Sequence, residues 1–311
     1  MMKQITVIGA GVMGHGIAQV YATAGHNVVL YDTQKHALEN ALKAIRKSLE
    51  SFFEIGMIAY NDIDEIVNRI RTTTDLEDAV RESDFITEVV PEILELKQAL
   101  YEQIESICKP ETIIASNTST FPLSTLTANA QKKNRMIITH FFNPGQIVPL
   151  VEVVKQDITA KHVIDETVQL LKEAGKTPVI LQKEIPGFIA NRLQAAVVRE
   201  AFSLVERGVA SIEDIDLAIT HGPGFRWAFV GPIETTDFGG LDTWQRVLDQ
   251  LCPNLDDRKS APDVINNMVA NGQLGVKSGK GLYEYNPDTV LERIEERDRN
   301  FLKLLQLKSV E

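Results

Sequence analysis

The chain has 311 residues, 44% hydrophobic and 24% charged, with a formal net charge of −11. That length and balance fit a globular protein of two domains, each able to bury its own core. The acidic balance argues against nucleic acid or a membrane as main partners, but leaves room for a small-molecule substrate at a locally basic site. The two cysteines, Cys108 and Cys252, lack metal-ligand spacing and read as free thiols of a reducing compartment. No signal segment and no apolar run of spanning length is apparent, so the expected location is the cytoplasm.

Short apolar runs over residues 5–9, 27–31, 85–88, 112–115, 136–141, 150–154 and 177–181 predict strands. Helical patterns start near Met13, Gln34, Ile93 and Lys161 between them. This alternation predicts an α/β fold of the doubly wound, Rossmann type, with a parallel sheet. A long helix over 34–54 and a charged one over 61–69 form a helical arm inserted between the second and third strands. From Pro186 onward the pattern turns helical, with an amphipathic run over 188–207, a helix over 212–220 capped by Ser211, and a last helix after Asn286-Pro287. The domains are therefore 1–185, a dinucleotide-binding domain carrying the arm, and 186–311, an all-α domain.

The first strand runs into Gly9-Ala10-Gly11-Val12-Met13-Gly14. Gly9 permits a tight turn, Gly11 lets backbone N–H groups of the Val12-Met13 turn approach a pyrophosphate, and Gly14 lets the helix pack on the strand. The helix N-terminus then faces the phosphates. Asp32 ends the second strand, where a carboxylate accepts from an adenosine ribose and repels a 2′-phosphate, which favours NAD over NADP. FAD uses the same fingerprint, and the turn alone leaves that choice open.

His140 lies at the end of a strand, on the edge where doubly wound sheets bind ligands. Glu152 sits inside the apolar run Leu150-Val151-Glu152-Val153-Val154, where a carboxylate is costly unless paired. His140 is its sensible partner, and a carboxylate-held imidazole is a general base for removing a hydroxyl proton. Ser116-Asn117-Thr118-Ser119-Thr120 follows the fourth of those strands on the same edge, with Asn117 and its neighbouring hydroxyls placed to hold the nicotinamide or a substrate oxygen. Asn191 lies in the first turns of a helix at the domain boundary and is a candidate substrate contact. The other histidines form no ligand set with His140, and no metal site is expected.

With GAGVMG, PEILELK, SNTST, HFFNP, PLVEVV, GFIANR and GVKSGKGLYEY, the chain resembles the 3-hydroxyacyl-CoA dehydrogenase family over nearly its whole length. The resemblance implies NAD rather than FAD as cofactor, reversible oxidation of the 3-hydroxyl of a short-chain L-3-hydroxyacyl-CoA of the 3-hydroxybutyryl type, and a role in fatty acid metabolism. It implies a homodimer formed through the C-terminal helical domain. By residue, it makes His140 the base and Glu152 its orienting carboxylate. Ser119 and Asn191 would position the reacting oxygen, Asn143 would be a further active-site asparagine, and Glu92 and Lys97 would be cofactor-side contacts.

Two segments depart from the acyl-CoA members. Residues 53–62 carry no lysine or arginine where those members tend to carry a lysine-rich stretch for the CoA phosphates, with Lys43, Arg46 and Lys47 the nearest substitutes. The run Gly222-Pro223-Gly224-Phe225-Arg226-Trp227-Ala228-Phe229-Val230-Gly231-Pro232 resembles the lambda-crystallin and L-gulonate 3-dehydrogenase branch, with L-carnitine dehydrogenase nearby. Arg226 is suited to a substrate carboxylate, or alternatively to pairing with Asp237 or Glu234. Two alternatives follow: a dehydrogenase of a small 3-hydroxy acid, and an NADH-binding, crystallin-like protein without turnover.

Overall fold

The computed structural model describes residues 2–308. The chain forms two compact units, Met1–Ile189 with Ile294–Glu311, and Ala190–Arg293. In chain order the first unit runs β1 (Gln4–Ile8), α1 (Gly14–Thr23), β2 (Asn27–Tyr31), α2 (Lys35–Glu54), α3 (Tyr60–Asn68), β3 (Ile70–Thr73), α4 (Leu76–Val80) and β4 (Phe85–Glu88). It continues with α5 (Leu94–Ile107), β5 (Ile113–Ser116), α6 (Leu123–Leu126), β6 (Met136–Phe141), β7 (Leu150–Val154), α7 (Lys161–Glu173) and β8 (Thr177–Leu181). The strands form one sheet in the order β3-β2-β1-β4-β5-β6-β7-β8, a doubly wound topology with its switch point between β1 and β4.

The strands are near-continuous apolar runs because helices cover both faces of the sheet. Their period of two deals alternate residues to two cores. Ile5, Val7, Val28, Leu30, Phe85 and Ile137 pack with α1, α2, α3 and α7. Ile8, Val29, Ile86, Ile114 and Ile138 pack with α4, α5 and α6 on the other face. In α2 the buried positions Leu38, Ala41, Ile45, Leu49 and Phe52 recur every three or four residues, a single stripe facing the sheet.

Three features differ from the sequence reading. β3 is absent from the sequence pattern: Ile70-Arg71-Thr72-Thr73 is a four-residue edge strand with one buried side chain, too short and too polar to show an apolar run. The sheet is parallel except at β6 and β7, which pair antiparallel as a hairpin. The packing boundary falls after Ile189 rather than at 185, and the C-terminal segment from Ile294 returns to the first unit. There Leu302 is buried with Phe52 and Ile147.

The second unit contains α8 (Ala190–Glu206), α9 (Ile212–His221), α10 (Pro223–Trp227), α11 (Pro232–Gly239), α12 (Leu241–Leu251) and α13 (Asp263–Ala270), and α14 (Val290–Lys308) begins at its end. Ser211 caps α9 as expected, its hydroxyl accepting from the Asp214 N–H. Within Ala190–Arg293 the buried residues are Ser203 and Pro262 alone. No helix among the described residues is long and apolar enough to cross a membrane.

Candidate active site

β1 ends where the chain must turn sharply. Gly9 has a φ of +107°, and a Cβ there would lie 2.9 Å from the Val89 carbonyl oxygen. A Cβ on Gly14 would lie 1.7 Å from the Gly9 carbonyl oxygen, so α1 packs against the turn at glycine distance. Gly11 has nothing within 4 Å of such an atom. Its open side faces a cavity of about 600 Å³ lined by Gly9, Gly11, Val12, Met13 and Asp32 on one wall and by Val89 to Pro91 on the other. Asp32 has a second role here. Its carboxylate accepts from the N–H of Ala10 and of Gln34, each at 2.9 Å, so it braces the turn and leaves its other lone pairs for a ribose hydroxyl. The glycine-walled crevice, the free helix N-terminus and the braced acid fit the adenosine and pyrophosphate parts of a dinucleotide.

The β6–β7 hairpin places His140 directly opposite Glu152. His140 Nδ1 lies 2.9 Å from Glu152 Oε2, with both residues buried. A carboxylate accepts only, so Nδ1 carries the proton and Nε2 presents its lone pair. Nε2 accepts from the Ser119 hydroxyl at 3.1 Å. The other oxygen of Glu152 accepts from the Ile189 N–H at 2.8 Å. That N–H is aimed by an unusual backbone: Gly187 and Phe188 both have positive φ, and Phe188 is the sole non-glycine residue of that kind among the described residues. The buried Phe188 ring lies 5.3 Å from the imidazole and Phe142 lies 4.5 Å from it, so the base is clamped between aromatic rings. Neither the Ile189 N–H nor Phe188 was legible as part of the site. The one signal was the Pro-Gly before Phe188, which marks a turn without saying where its amides point.

Beneath the crevice lies a polar network that the sequence showed only in part. Glu88, at the end of β4, is fully buried and its four acceptor positions are filled. Oε1 accepts from Lys97 Nζ at 2.6 Å and the Val90 N–H at 2.8 Å, and Oε2 accepts from the Tyr101 hydroxyl at 2.6 Å and the Ser116 hydroxyl at 2.7 Å. Burial and the Glu88 charge hold the Tyr101 hydroxyl well above its ordinary range, which keeps it a donor. Lys97 is 1% exposed and bridges to Glu92 at 3.2 Å. Glu92 in turn accepts from the hydroxyls of Thr118 and Thr120 and the N–H groups of Ser119 and Thr120. Burial pushes the Glu92 carboxyl up, but the two threonine hydroxyls and Lys97 outweigh it and hold the carboxyl below the usual glutamate range. Lys97 and Glu92, expected beside the cofactor, thus also fix the loop that carries Ser119. Asn117 Oδ1 accepts from the Phe141 N–H at 2.8 Å and ties that loop to the strand end beside His140.

His140, Glu152, Ser119, Asn117, Glu92 and Lys97 therefore form one connected group. Asn143 is exposed in the loop after β6, with no side-chain hydrogen bond among the described residues. Asn191 is half-buried at the second position of α8. Arg226 is exposed in α10, and it forms no ion pair with Asp237 or Glu234. Asn191 and Arg226 belong to the other compact unit. The arm cations are partly occupied: Arg46 bonds Asp64 at 2.7 Å and Lys47 bonds Glu295 at 2.5 Å, while Lys43 is exposed. Among the described residues no cluster of histidine, cysteine and acidic side chains is arranged to hold a metal ion.

A dinucleotide crevice on the carboxyl edge of a doubly wound sheet, facing a carboxylate-held histidine, defines a nicotinamide-dependent oxidoreductase. Two family models match, the 3-hydroxyacyl-CoA dehydrogenase NAD binding domain over residues 4–185 and its C-terminal domain over 187–285. The rat mitochondrial hydroxyacyl-coenzyme A dehydrogenase is 38% identical over 92% of each chain. The 5-formyl-3-hydroxy-2-methylpyridine 4-carboxylate 5-dehydrogenase of Mesorhizobium japonicum is 33% identical over 99% of this chain and 98% of its own. A crystal structure of an enzyme of that activity, described as an NAD+-dependent dismutase, superposes with a TM-score of 0.91 at 32% identity, covering 100% of this chain and 98% of the other. The chain belongs to the 3-hydroxyacyl-CoA dehydrogenase family, and NAD is its cofactor.

Proposed function

We propose that the protein catalyses reversible, NAD-dependent oxidation of the hydroxyl of a short-chain L-3-hydroxyacyl compound to the ketone, with His140 as general base. The observation that carries this reading is the chain Ser119–His140–Glu152–Ile189, in which Nε2 is left as the acceptor. In this reading the substrate hydroxyl approaches Nε2 beside Ser119 and gives up its proton there as the C–O bond becomes a carbonyl. Glu152 keeps the imidazole in the correct tautomer and stabilises the imidazolium that forms. Bound NAD supplies the acceptor for the hydride leaving the same carbon. Ser119 holds the reacting oxygen, with Asn191 and Asn143 proposed to complete that role. In reduction the imidazolium returns the proton to the ketone oxygen.

Membership of the family supports an acyl-CoA thioester as the substrate, in the first instance 3-hydroxybutyryl-CoA. A second reading, a small hydroxy acid or a related carboxylate, is favoured by two observations. Arg46 and Lys47 of the arm are already paired, with Asp64 and Glu295, and Arg226 pairs with no acid among the described residues, which suits a carboxylate. One relative that matches over nearly its full length is named a dehydrogenase of a pyridine carboxylate. Rates of NADH oxidation with acetoacetyl-CoA, set beside rates of NAD+ reduction with L-gulonate and L-carnitine, separate the two. Turnover of acetoacetyl-CoA unaffected by Arg226→Ala supports the thioester. Turnover of a free acid whose KM rises on Arg226→Ala supports the second reading. NADH binding without turnover of any of these would sink both.

The proposed partner is a second copy of the chain. In the second unit Phe225, Ile233 and Phe238 are 73%, 81% and 77% exposed, on α10 and α11, and Trp227 and Phe229 between them are exposed as well. Such a concentration of exposed large apolar side chains marks an association surface.

A further inference from the structure

A second cavity in the first unit is built unlike a packing defect. It encloses about 210 Å³ and lies away from the glycine turn, walled by Val20, Phe52, Met57, Ile58, Ile147 and Leu305. Lys176, Gln19 and Gln146 interrupt this apolar wall, with Thr23 beside them; of these Lys176 and Gln19 are the buried ones.

Lys176 precedes β8 and is 7% exposed. Its ammonium donates to the carbonyls of Gly145 at 2.7 Å and Val148 at 3.0 Å, which accounts for two of its three protons. It pairs with no carboxylate among the described residues, in contrast to the other buried lysine, Lys97, which has Glu88 and Glu92. It is also the sole ionisable side chain lining the cavity. Burial, with no charge acting against it, pushes the amine down to about 7. Gln19, on α1, is 2% exposed, and its Oε1 has no hydrogen-bond partner. An amide turned end for end offers N–H groups at the same place, so Gln19 can serve an acceptor as readily as a donor. A buried cation without its anion and a buried amide without its partner each cost free energy, and one ligand would satisfy both.

We propose that this cavity is a binding site for a short-chain carboxylate, its headgroup held by Lys176 and Gln19 and its alkyl tail lying against Phe52, Ile147 and Leu305. The charge asks for an anion, and the walls ask for an apolar tail. At about 30 Å³ per water the space holds roughly seven waters, the size of a carboxylic acid of about six carbons. The anion binds the ammonium form, so a proton is taken up on binding wherever the free amine is neutral. Affinity then falls about tenfold per pH unit above 7.

The probe is hexanoate, titrated calorimetrically into the NADH-loaded full-length protein at pH 7 and pH 8.5, in two buffers of different ionisation enthalpy. Saturable binding that weakens at pH 8.5 with uptake of close to one proton is the expected result, with hexanol failing to bind. Lys176→Met is expected to abolish it. Because Lys176 also holds the 145–148 loop, Ala174→Phe, which fills the cavity and keeps the amine, is the second variant, and it too should lose hexanoate. Arg226→Ala should leave this binding unchanged, which separates the site from a carboxylate contact in the substrate cleft. Absence of hexanoate binding to the folded protein, or binding that survives both Lys176→Met and Ala174→Phe, overturns the proposal.

Discussion

The two units handle apolar surface in opposite ways. The first closes both faces of its sheet with helices and buries nearly every large side chain the strands offer. The second buries only Ser203 and Pro262 within Ala190–Arg293, while α12 carries a strong apolar stripe. Apolar area removed from water is the main favourable contribution to folding, at about 25 cal/mol per Å². The first unit therefore carries most of the apolar burial that stabilises the described chain, and the exposed apolar side chains of the second are the basis for proposing a partner there. The chemistry divides in the same sense. The hydrogen bonds of His140 to Ser119 and Glu152, and of Glu152 to the Ile189 N–H, are made within the first unit, and the candidates that choose a substrate, Asn191 and Arg226, belong to the second.

The contrast can be broken at several points. The largest effect on stability is expected in the first unit. Lys97→Met leaves Glu88 buried without its cation and should cost about 3–5 kcal/mol in denaturant unfolding. A loss under 1 kcal/mol would mean that the hydroxyls and the Val90 N–H suffice for Glu88. Phe188→Ala removes a buried ring and should cost about 3 kcal/mol. Phe188→Gly, which accepts positive φ, loses the ring but keeps the backbone course, so the difference between the two reads the left-handed turn separately from the packing. In the second unit Ile233→Asp combined with Phe238→Asp should leave the first unit's melting intact while shifting the sedimentation coefficient from dimer to monomer. An unchanged sedimentation coefficient would place the association surface elsewhere.

The smallest effect concerns Glu92. Its carboxyl is held below the usual glutamate range, so its contribution is fully present above about 4.5 and is lost as the pH falls through its lower folded value. Glu92→Gln should therefore cost about 1 kcal/mol near neutrality, and the gap between variant and parent should close as the pH falls through that lower folded value. The loop from Thr118 to Thr120 loses its anchor in that variant. A fall in kcat with NADH binding retained would show that anchoring Ser119 is what Glu92 contributes to turnover.

Much of this site was legible because its residues violate local expectation. A carboxylate inside Leu150–Val154 had to be paired, and the histidine twelve positions earlier was at hand. What the sequence could not show was the hairpin that makes them opposite neighbours, because the alternation of strands and helices suggested a uniformly parallel sheet. Glu88 is illegible for the reverse reason: at the end of Phe85-Ile86-Thr87-Glu88 it resembles an ordinary strand terminus facing solvent, and its four donors come from Val90, Lys97, Tyr101 and Ser116. The edge strand β3 is similarly silent, since its stability derives from pairing with β2 rather than from apolar content. In the second unit α8 and α9 are legible from a stripe and a cap, whereas α10 to α13 are not read individually from the sequence, and a stripe does not say what covers it.

The central claim is that the first unit binds NAD through the glycine turn and performs proton transfer through His140. His140→Gln tests it most directly, because glutamine can still hydrogen-bond Ser119 and leaves the turn untouched. On the better substrate of the wild type, the account predicts NADH affinity unchanged and kcat reduced by about 10²–10⁴-fold, with the pH dependence of the wild-type rate abolished. A variant that retains most of its turnover with an unaltered pH profile would contradict it.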